Sequence, residues 1–155
     1  MVKYVIDASS LIELEVRYPI DIPIFQPIYH KLNQMFECGE LFSVREAFEE
    51  LKDSQSYWDD YEEYFRELTD KESGNVAELL NSEEFSVFIS HGMNENDGYW
   101  ADPHLIACAM ADSDITVVSE ESSRNHPQRS MPFVCEQLGV RCIKVLQFLD
   151  EINIR

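Results

Sequence analysis

Short apolar runs alternate with segments of helical spacing along this chain, and the alternation restricts its fold class more than any other feature. Strand-like runs occupy residues 3–7, 41–42, 115–118 and 140–145, and helical segments separate them. Strands joined through helices are typical of an α/β protein, so we expect a central, mostly parallel sheet. A chain of 155 residues with no evident linker is predicted to form one domain over residues 1–155.

Helical spacing and glycines define the segments between the strands. Apolar residues recur at helical spacing over residues 24–38 and 132–138, and Gly39 and Gly139 follow as predicted C-terminal caps. The stretch from residue 90 to 100 is rich in glycine and asparagine, which predicts a loop.

Aromatic residues gather in the middle of the chain. Tyr57, Tyr61, Tyr64, Phe65 and Leu68 recur at a spacing that predicts another helix with an aromatic face. Packing of this face into the core is the plain interpretation, and an interface with a partner is the alternative.

Carboxylates stand at the predicted ends of several elements. Asp7 ends the first strand-like run, Asp102 opens a later helix before Pro103, and Glu120 and Glu121 follow residues 115–118. Parallel strands end at one edge of their sheet, where ligands of α/β proteins bind, so these acids are expected to converge. Converging carboxylates with few cations beside them predict a divalent metal site.

The aspartates also have structural explanations. Asp7 is placed to cap a helix that begins near Ser9, and Asp102 before Pro103 has the sequence of a helix N-cap. A cap keeps one carboxylate oxygen for a metal, so the two roles are compatible. Asp97, in the predicted loop, is either an outer ligand or exposed to solvent.

A helix predicted from Ser43 through Leu51 offers two further acids. Ser43 and Glu46 match the capping-box pattern, which accounts for Glu46 without a metal. Glu50 lies four residues later on the same helix face and is therefore the first choice as a ligand, with Glu46 second.

The acids after residue 118 form a separate choice. Strand alternation places Glu120 and Glu121 on opposite sides, so one is expected to face the cluster and the other to face away. The pattern alone does not choose between them. Ser119 is placed to hydrogen-bond and orient a ligand carboxylate.

The formal charge of −18 restricts the partners of the chain. A solvated acidic surface explains most of its acids, and such a surface opposes nonspecific nucleic-acid binding, which uses Lys and Arg. The densest positive character lies after Glu121, at Arg124, His126 and Arg129. These residues either bind the phosphate backbone of a substrate or belong to a plain solvated loop.

Cysteine spacing and hydropathy bear on the compartment. Cys38, Cys108, Cys135 and Cys142 form no CxxC pair and no zinc-ligand spacing, so we interpret them as buried thiols. The N-terminus has no signal-peptide architecture, and no apolar run reaches the length of a membrane span. A cytoplasmic protein without a membrane partner is expected.

Four segments together resemble the PIN domain superfamily. They read VIDASSL at residues 5–11, EAFEEL at 46–51, ADPHLIA at 101–107 and VVSEE at 117–121. They follow the family's order in a chain of PIN size, and a little-characterised prokaryotic PIN-like family is similar over nearly the whole length. The resemblance implies a three-layer α/β/α sandwich.

The resemblance also implies a metal-dependent ribonuclease like the VapC toxins, each of which is held by an antitoxin encoded beside it. By motif, Asp7, Glu50, Asp102 and Glu121 are the catalytic acids that bind Mg²⁺ or Mn²⁺. Glu121 stands where the family commonly has aspartate, and Ser119 stands where it has threonine. Residues 51–80 are where family members contact a partner or form a homodimer.

Other interpretations stay open. A catalytically weakened or inactive PIN-like module would bind a protein or RNA without cutting it. A haloacid-dehalogenase-like phosphatase also begins with a strand-end aspartate, but it needs a second aspartate where this chain has Ser9. A receiver-like phosphoacceptor module needs a lysine at the end of a later strand, and none is evident.

Overall fold

The computed structural model describes residues 1–52, 55–96, 100–122 and 126–154. In this part of the chain five strands form one parallel sheet in the order β3-β2-β1-β4-β5. Helices flank the sheet, which confirms the predicted α/β class and agrees with a three-layer α/β/α sandwich. The strands are β1 Lys3–Ile6, β2 Leu41–Val44, β3 Phe65–Arg66, β4 Ile115–Val118 and β5 Cys142–Ile143.

Eight α-helices lie in the described residues, with three short 3-10 helices between them. The α-helices are α1 Ala8–Arg17, α2 Gln26–Cys38, α3 Arg45–Leu51, α4 Asp70–Leu80, α5 Ser86–Glu95, α6 Asp102–Ala111, α7 Met131–Leu138 and α8 Val145–Glu151. The 3-10 helices are Pro23–Phe25, Tyr57–Tyr64 and Pro127–Arg129. None of these helices combines the length and hydrophobicity that a membrane span requires.

The middle of the sheet brings two strand ends together. β1 pairs with β4 in register, so that Ile6 lies beside Val118 at the carboxyl edge. The sheet extends from β1 to β2 and β3 on one side and to β4 and β5 on the other. The switch point therefore lies at β1 and β4, which lead directly into Asp7 and Ser119.

The two predicted glycine caps are confirmed. Gly39 ends α2 at φ 82° and Gly139 ends α7 at φ 71°, and both donate their N–H to carbonyls of the preceding turn. A positive φ favours glycine, so these residues end their helices where the sequence predicted.

The predicted capping box at the start of α3 is wrong. Val44 is the N-cap residue of α3, and it forms no side-chain capping bond. Ser43 belongs to β2 instead, and its hydroxyl donates to the carbonyl of Ile6 on the neighbouring strand. Because the strand continues past Phe42, Ser43 is buried and its hydroxyl takes a partner from the sheet.

The loop predicted over residues 90–100 is also wrong for its first half. Helix α5 continues to Glu95, and residues 97–99 lie outside the described part of the chain. A Cβ atom added to Gly92 would lie 2.1 Å from the Trp100 ring. Gly92 therefore allows the Trp100 ring, just before α6, to pack closely against α5. The sequence pattern did not distinguish this glycine from a loop glycine.

The aromatic segment packs into the core, as its plain interpretation held, but it is not an α-helix. It forms the 3-10 helix Tyr57–Tyr64 and then β3, a strand that the sequence did not predict. Trp58 is fully buried, stacks with Tyr29, and donates its indole N–H to the carbonyl of Leu11 at 3.0 Å.

The interpretation of the cysteines as buried thiols holds for two of the four. Cys108 and Cys135 are buried, Cys142 is half-buried, and Cys38 is exposed at the end of α2. All four are free thiols.

Candidate functional site

A cleft at the carboxyl edge of the sheet collects the acids that the sequence singled out. It has a volume of about 330 Å³, and we call it the carboxylate cleft. The four predicted ligands line it together with one further serine and one further glutamate: Asp7, Ser9, Glu50, Asp102, Glu120 and Glu121. The described lining therefore contains five carboxylates and no cationic side chain.

Asp7 is held firmly by the start of α1. It is 6% exposed and is the N-cap of that helix, with Oδ1 accepting the Ser10 N–H at 2.8 Å. The Ser9 hydroxyl lies 2.9 Å from both carboxylate oxygens. Burial raises the pKa of Asp7, while hydrogen bonds from Ser10, Ser119 and Ser9 favour its charged form. The predicted capping role is confirmed.

Two glutamates of the cleft accept backbone N–H groups at the starts of other helices. Glu50 Oε1 accepts from Ala101, the N-cap residue of α6, at 3.0 Å. Glu121 Oε2 accepts from Met131, the first residue of α7, at 3.1 Å. Helix N-termini carry unpaired N–H groups and the positive end of the helix dipole, so both positions favour a carboxylate.

Glu120 also lines the cleft, so the prediction that one of the two adjacent glutamates faces away from it is wrong, and Glu120 makes the same kind of contact. Its Oε1 accepts the N–H of Val145, the first residue of α8, at 2.7 Å. The N-termini of α1, α6, α7 and α8 therefore each supply an N–H to a different acid of the cleft. This arrangement holds four carboxylates in fixed positions and offsets part of their mutual repulsion.

Asp102 differs from the other four acids. Ala101 is the N-cap residue of α6 and Asp102 is its first helical residue, so the predicted N-cap role of Asp102 is wrong. Its carboxyl interacts with that of Glu121, and among the described residues no backbone N–H donates to it. Burial raises the pKa of Asp102 well above its usual range, and the charges of Glu121, Asp7 and Glu50 raise it further.

Burial and mutual repulsion disfavour the charged forms of several acids in the cleft. Burial also raises the pKa of Glu50 and of Glu121, although each accepts a backbone N–H that opposes the change. In the described residues, no three Asp, Glu, His or Cys side chains stand ready as they are to hold a metal ion. The atoms available to hold an ion are all carboxylate or hydroxyl oxygens, which suit Mg²⁺ or Mn²⁺. Asp102 and Glu121 interact with each other, so an ion would have to replace that interaction.

Sequence comparison covers the whole of this region. The chain belongs to the DUF4411 family. The family model is described as a domain of unknown function (DUF4411), and it matches residues 4–155, so it includes every acid of the carboxylate cleft. No curated protein matches the sequence.

Ser119 lies beneath the cleft of this DUF4411 chain. It is 1% exposed, hydrogen-bonds to Asp7, and accepts the Glu121 N–H at 3.1 Å. One hydroxyl thus links the acids that follow β1 and β4, which is the position expected for a residue that orients a ligand carboxylate.

Glu46 is not part of the carboxylate cleft. Its Oε1 lies 3.5 Å from Nε2 of His104, and both residues line a separate cleft. Glu46 Oε2 and His104 Nδ1 are buried without a hydrogen-bond partner. Asp97 and Arg124 lie outside the described residues.

The other two basic residues that the sequence singled out are exposed. His126 is exposed, and Arg129 lies in the 3-10 helix Pro127–Arg129, within the segment predicted to be a loop. Sequence reasoning missed His91, which lies close enough to Glu121 to lower the pKa of that carboxyl against the effect of burial. It fell in the segment predicted to be a loop, so no helical face drew attention to it.

Proposed function

We propose that this protein is a metal-dependent endoribonuclease, with Asp7, Glu50, Asp102 and Glu121 as the acids that hold Mg²⁺ or Mn²⁺. Asp102 is the observation that carries the proposal. Helix capping accounts for the positions of Asp7, Glu50 and Glu121. It does not account for Asp102, whose carboxyl lies among three acids and accepts no backbone N–H from the part of the chain that the structure describes. Strongly perturbed acids in a cleft mark functional sites more often than structural ones.

The chemistry of the donor set supports a hard divalent cation. The caps at Glu50 and Glu121 each use one carboxylate oxygen, which leaves the other oxygen for a ligand. A bound ion would supply positive charge to offset the charge that develops on phosphate, and it would lower the pKa of the attacking water. Because burial raises the pKa of both Asp102 and Glu121, metal binding competes with protonation of these acids.

The residues around the acids keep their geometry fixed. Ser9 and Ser119 hold the Asp7 carboxylate, and the N-termini of α6 and α7 hold Glu50 and Glu121. Carboxylates fixed in this way lose little freedom when an ion or a phosphate enters, which is the preorganisation that hydrolysis requires.

The resemblance to PIN domains extends the proposal to a biological role. We assign the chain to the PIN-like nucleases and take it to be the toxin of a toxin–antitoxin pair in the cytoplasm. The charge of −18 suits a basic antitoxin as the partner. Residues 51–80 are the proposed contact for that partner or for a second copy of the chain.

A second candidate function is a PIN-like module that binds a protein or RNA without cutting it. Four of the five acids cap helices, and no three described side chains stand ready for a metal. Under this alternative the acids stabilise helix N-termini, and removal of Asp102 changes no activity.

An RNA cleavage assay separates the two functions. With Mn²⁺ the native chain should cut a mixed RNA pool, EDTA should stop the reaction, and Asp102→Asn should slow it about 100-fold or more, because the change removes a ligand without removing a cap. Asp60→Asn, at an exposed acid of the Tyr57–Tyr64 segment, is the matched control and should cut normally. Equal cleavage by the native and Asp102→Asn chains would overturn the nuclease assignment.

A further inference from the structure

A second cleft lies between α5 and the 3-10 helix Pro127–Arg129, and we call it the α5 cleft. Its volume is about 500 Å³, larger than that of the carboxylate cleft. Its polar lining consists of Ser86, Ser90, His91, Asn94, Glu95 and Arg129. The six lining residues on α5 form three adjacent pairs that recur every four positions, 86–87, 90–91 and 94–95, so the cleft follows one face of the helix along its whole length.

The charges of the α5 cleft are the reverse of those in the carboxylate cleft. Arg129 and His91 face a single acid, Glu95, in a chain that carries 30 acids and only 12 Lys and Arg. In the described residues neither Arg129 nor His91 forms a salt bridge. The hydroxyls of Ser86 and Ser90 and the amide of Asn94 add neutral donors beside these two residues.

The two clefts are neighbours. Arg129 lines the α5 cleft and stands two residues before Met131, whose N–H donates to Glu121 of the carboxylate cleft at 3.1 Å. His91 of the α5 cleft also lowers the pKa of Glu121. A polyanion that entered the carboxylate cleft alone would meet five acids. The adjoining donors therefore offer such a strand a favourable contact next to the acids.

We infer that the α5 cleft binds a backbone phosphate of the nucleic-acid strand that is cut at the carboxylate cleft. Arg129 donates from the 3-10 helix, the Ser86 hydroxyl donates from the start of α5, Ser90 and His91 donate from its middle, and Asn94 donates from its C-terminal end. The identity of the strand rests on the proposed nuclease function. The phosphate contact itself needs no metal, so the two are testable separately.

The test is anisotropy of a short fluorescein-labelled single-stranded RNA with the full chain in EDTA. Arg129→Gln and His91→Gln should each weaken binding about 3- to 10-fold, since each removes one exposed contact to a charged phosphate. Arg129→Gln should also lower the salt dependence of binding by about one phosphate contact. Glu95→Gln should strengthen binding, because it removes the acid that opposes phosphate in the cleft.

Arg17→Gln is the matched control. Arg17 is exposed at the C-terminal end of α1, about 15 Å along the helix from the end that carries Asp7. Its change should leave RNA binding within error, and circular dichroism should show that all variants fold. Equal losses in Arg17→Gln and Arg129→Gln would show binding by overall charge alone and would overturn the inference.

The remaining outcomes separate the inference from the proposed function. Arg129-dependent binding without Mn²⁺-dependent cleavage supports the α5 cleft and contradicts the nuclease. Cleavage with RNA binding indifferent to Arg129 and His91 supports the nuclease and contradicts the α5 cleft. A single-stranded DNA of the same sequence that binds equally well supports a backbone-phosphate contact, whereas preference for RNA adds a contact to the 2′-hydroxyl.

Discussion

The carboxylate cleft and the Arg66–Glu72 pair bury acids in opposite ways. Glu72, in the first turn of α4, is 3% exposed, and its two oxygens accept from Arg66 at 2.7 and 2.8 Å. It also accepts the Thr69 N–H, which completes a capping box. The Arg66 guanidinium and these hydrogen bonds lower the pKa of Glu72 to about 2.

Asp102 is an acid in a helix first turn too, yet its surroundings contain acids where those of Glu72 contain an arginine. Burial and three neighbouring carboxylates raise its pKa, whereas the arginine lowers that of Glu72. The same fold pairs Glu72 with an arginine, whereas no arginine in the described residues pairs with Asp102. An uncompensated acid of this kind indicates a site for an external cation.

Loss of the paired acid should have the largest effect on stability. Glu72→Gln leaves Arg66 without its anion and weakens the capping box, so the free energy of unfolding should fall by about 2–3 kcal/mol, with partial exposure of Arg66 limiting the loss. Urea denaturation measures this change. Glu78→Gln, at an exposed position of the same helix, is the control and should change the midpoint little.

Loss of the unpaired acid should act in the opposite direction. In EDTA, Asp102→Asn removes charge repulsion and keeps a donor for Glu121, so the Tm should rise by about 2–4 °C. Asp60→Asn should leave the Tm unchanged. A Tm for Asp102→Asn below that of the native chain would show that the acid stabilises the metal-free fold and would remove the contrast with Glu72.

The two regions should also divide the pH dependence of stability. The raised pKa values of Asp7, Glu50, Asp102 and Glu121 mean that the native state holds extra protons, so stability falls as pH rises through those values. The lowered pKa of Glu72 has the reverse sign, so its contribution is lost as pH falls below about 4 towards 2.

Metal-free protein should therefore be more stable on the acidic side of neutrality than at pH 8, down to the range below about 4 in which Glu72 becomes protonated. Thermal unfolding in EDTA from pH 8 down into that range locates the maximum. Asp102→Asn should flatten the decline above the maximum and leave the decline below it intact. A native chain that gains stability steadily up to pH 8 would contradict the account of the cleft.

The sequence predicted the parts of the fold that depend on local pattern. The β-branched run of β4 and the glycine ends of α2 and α7 carry their structure in adjacent residues. β3 has only two residues, which is too short for any periodic signal. Helix α5 was missed because Gly92 is typical of a loop. The contact that requires a glycine there is with the Trp100 ring, eight positions later in the sequence.

The sequence predicted that the acids of the carboxylate cleft lie together, but not the groups that hold them. Asp7, Glu120 and Glu121 follow strand-like runs, and Glu50 and Asp102 lie on predicted helices. Only the family resemblance favoured Glu121 over Glu120. The backbone donors to three of these acids were not predicted, because Ala101, Met131 and Val145 reach acids 51, 10 and 25 residues away. Only the parallel sheet brings these helix N-termini to one edge.

Calorimetric titration of Mn²⁺ into the metal-free chain tests the central claim most directly. The native chain and Asp60→Asn should bind saturably, and proton release on binding, which the raised pKa of Asp102 favours, would appear as heat that depends on the buffer. Asp7→Asn and Asp102→Asn should lose that binding, and the Tm in EDTA shows that each variant is folded. No saturable binding, or binding indifferent to both substitutions, would contradict the metal centre and leave the acids as helix caps.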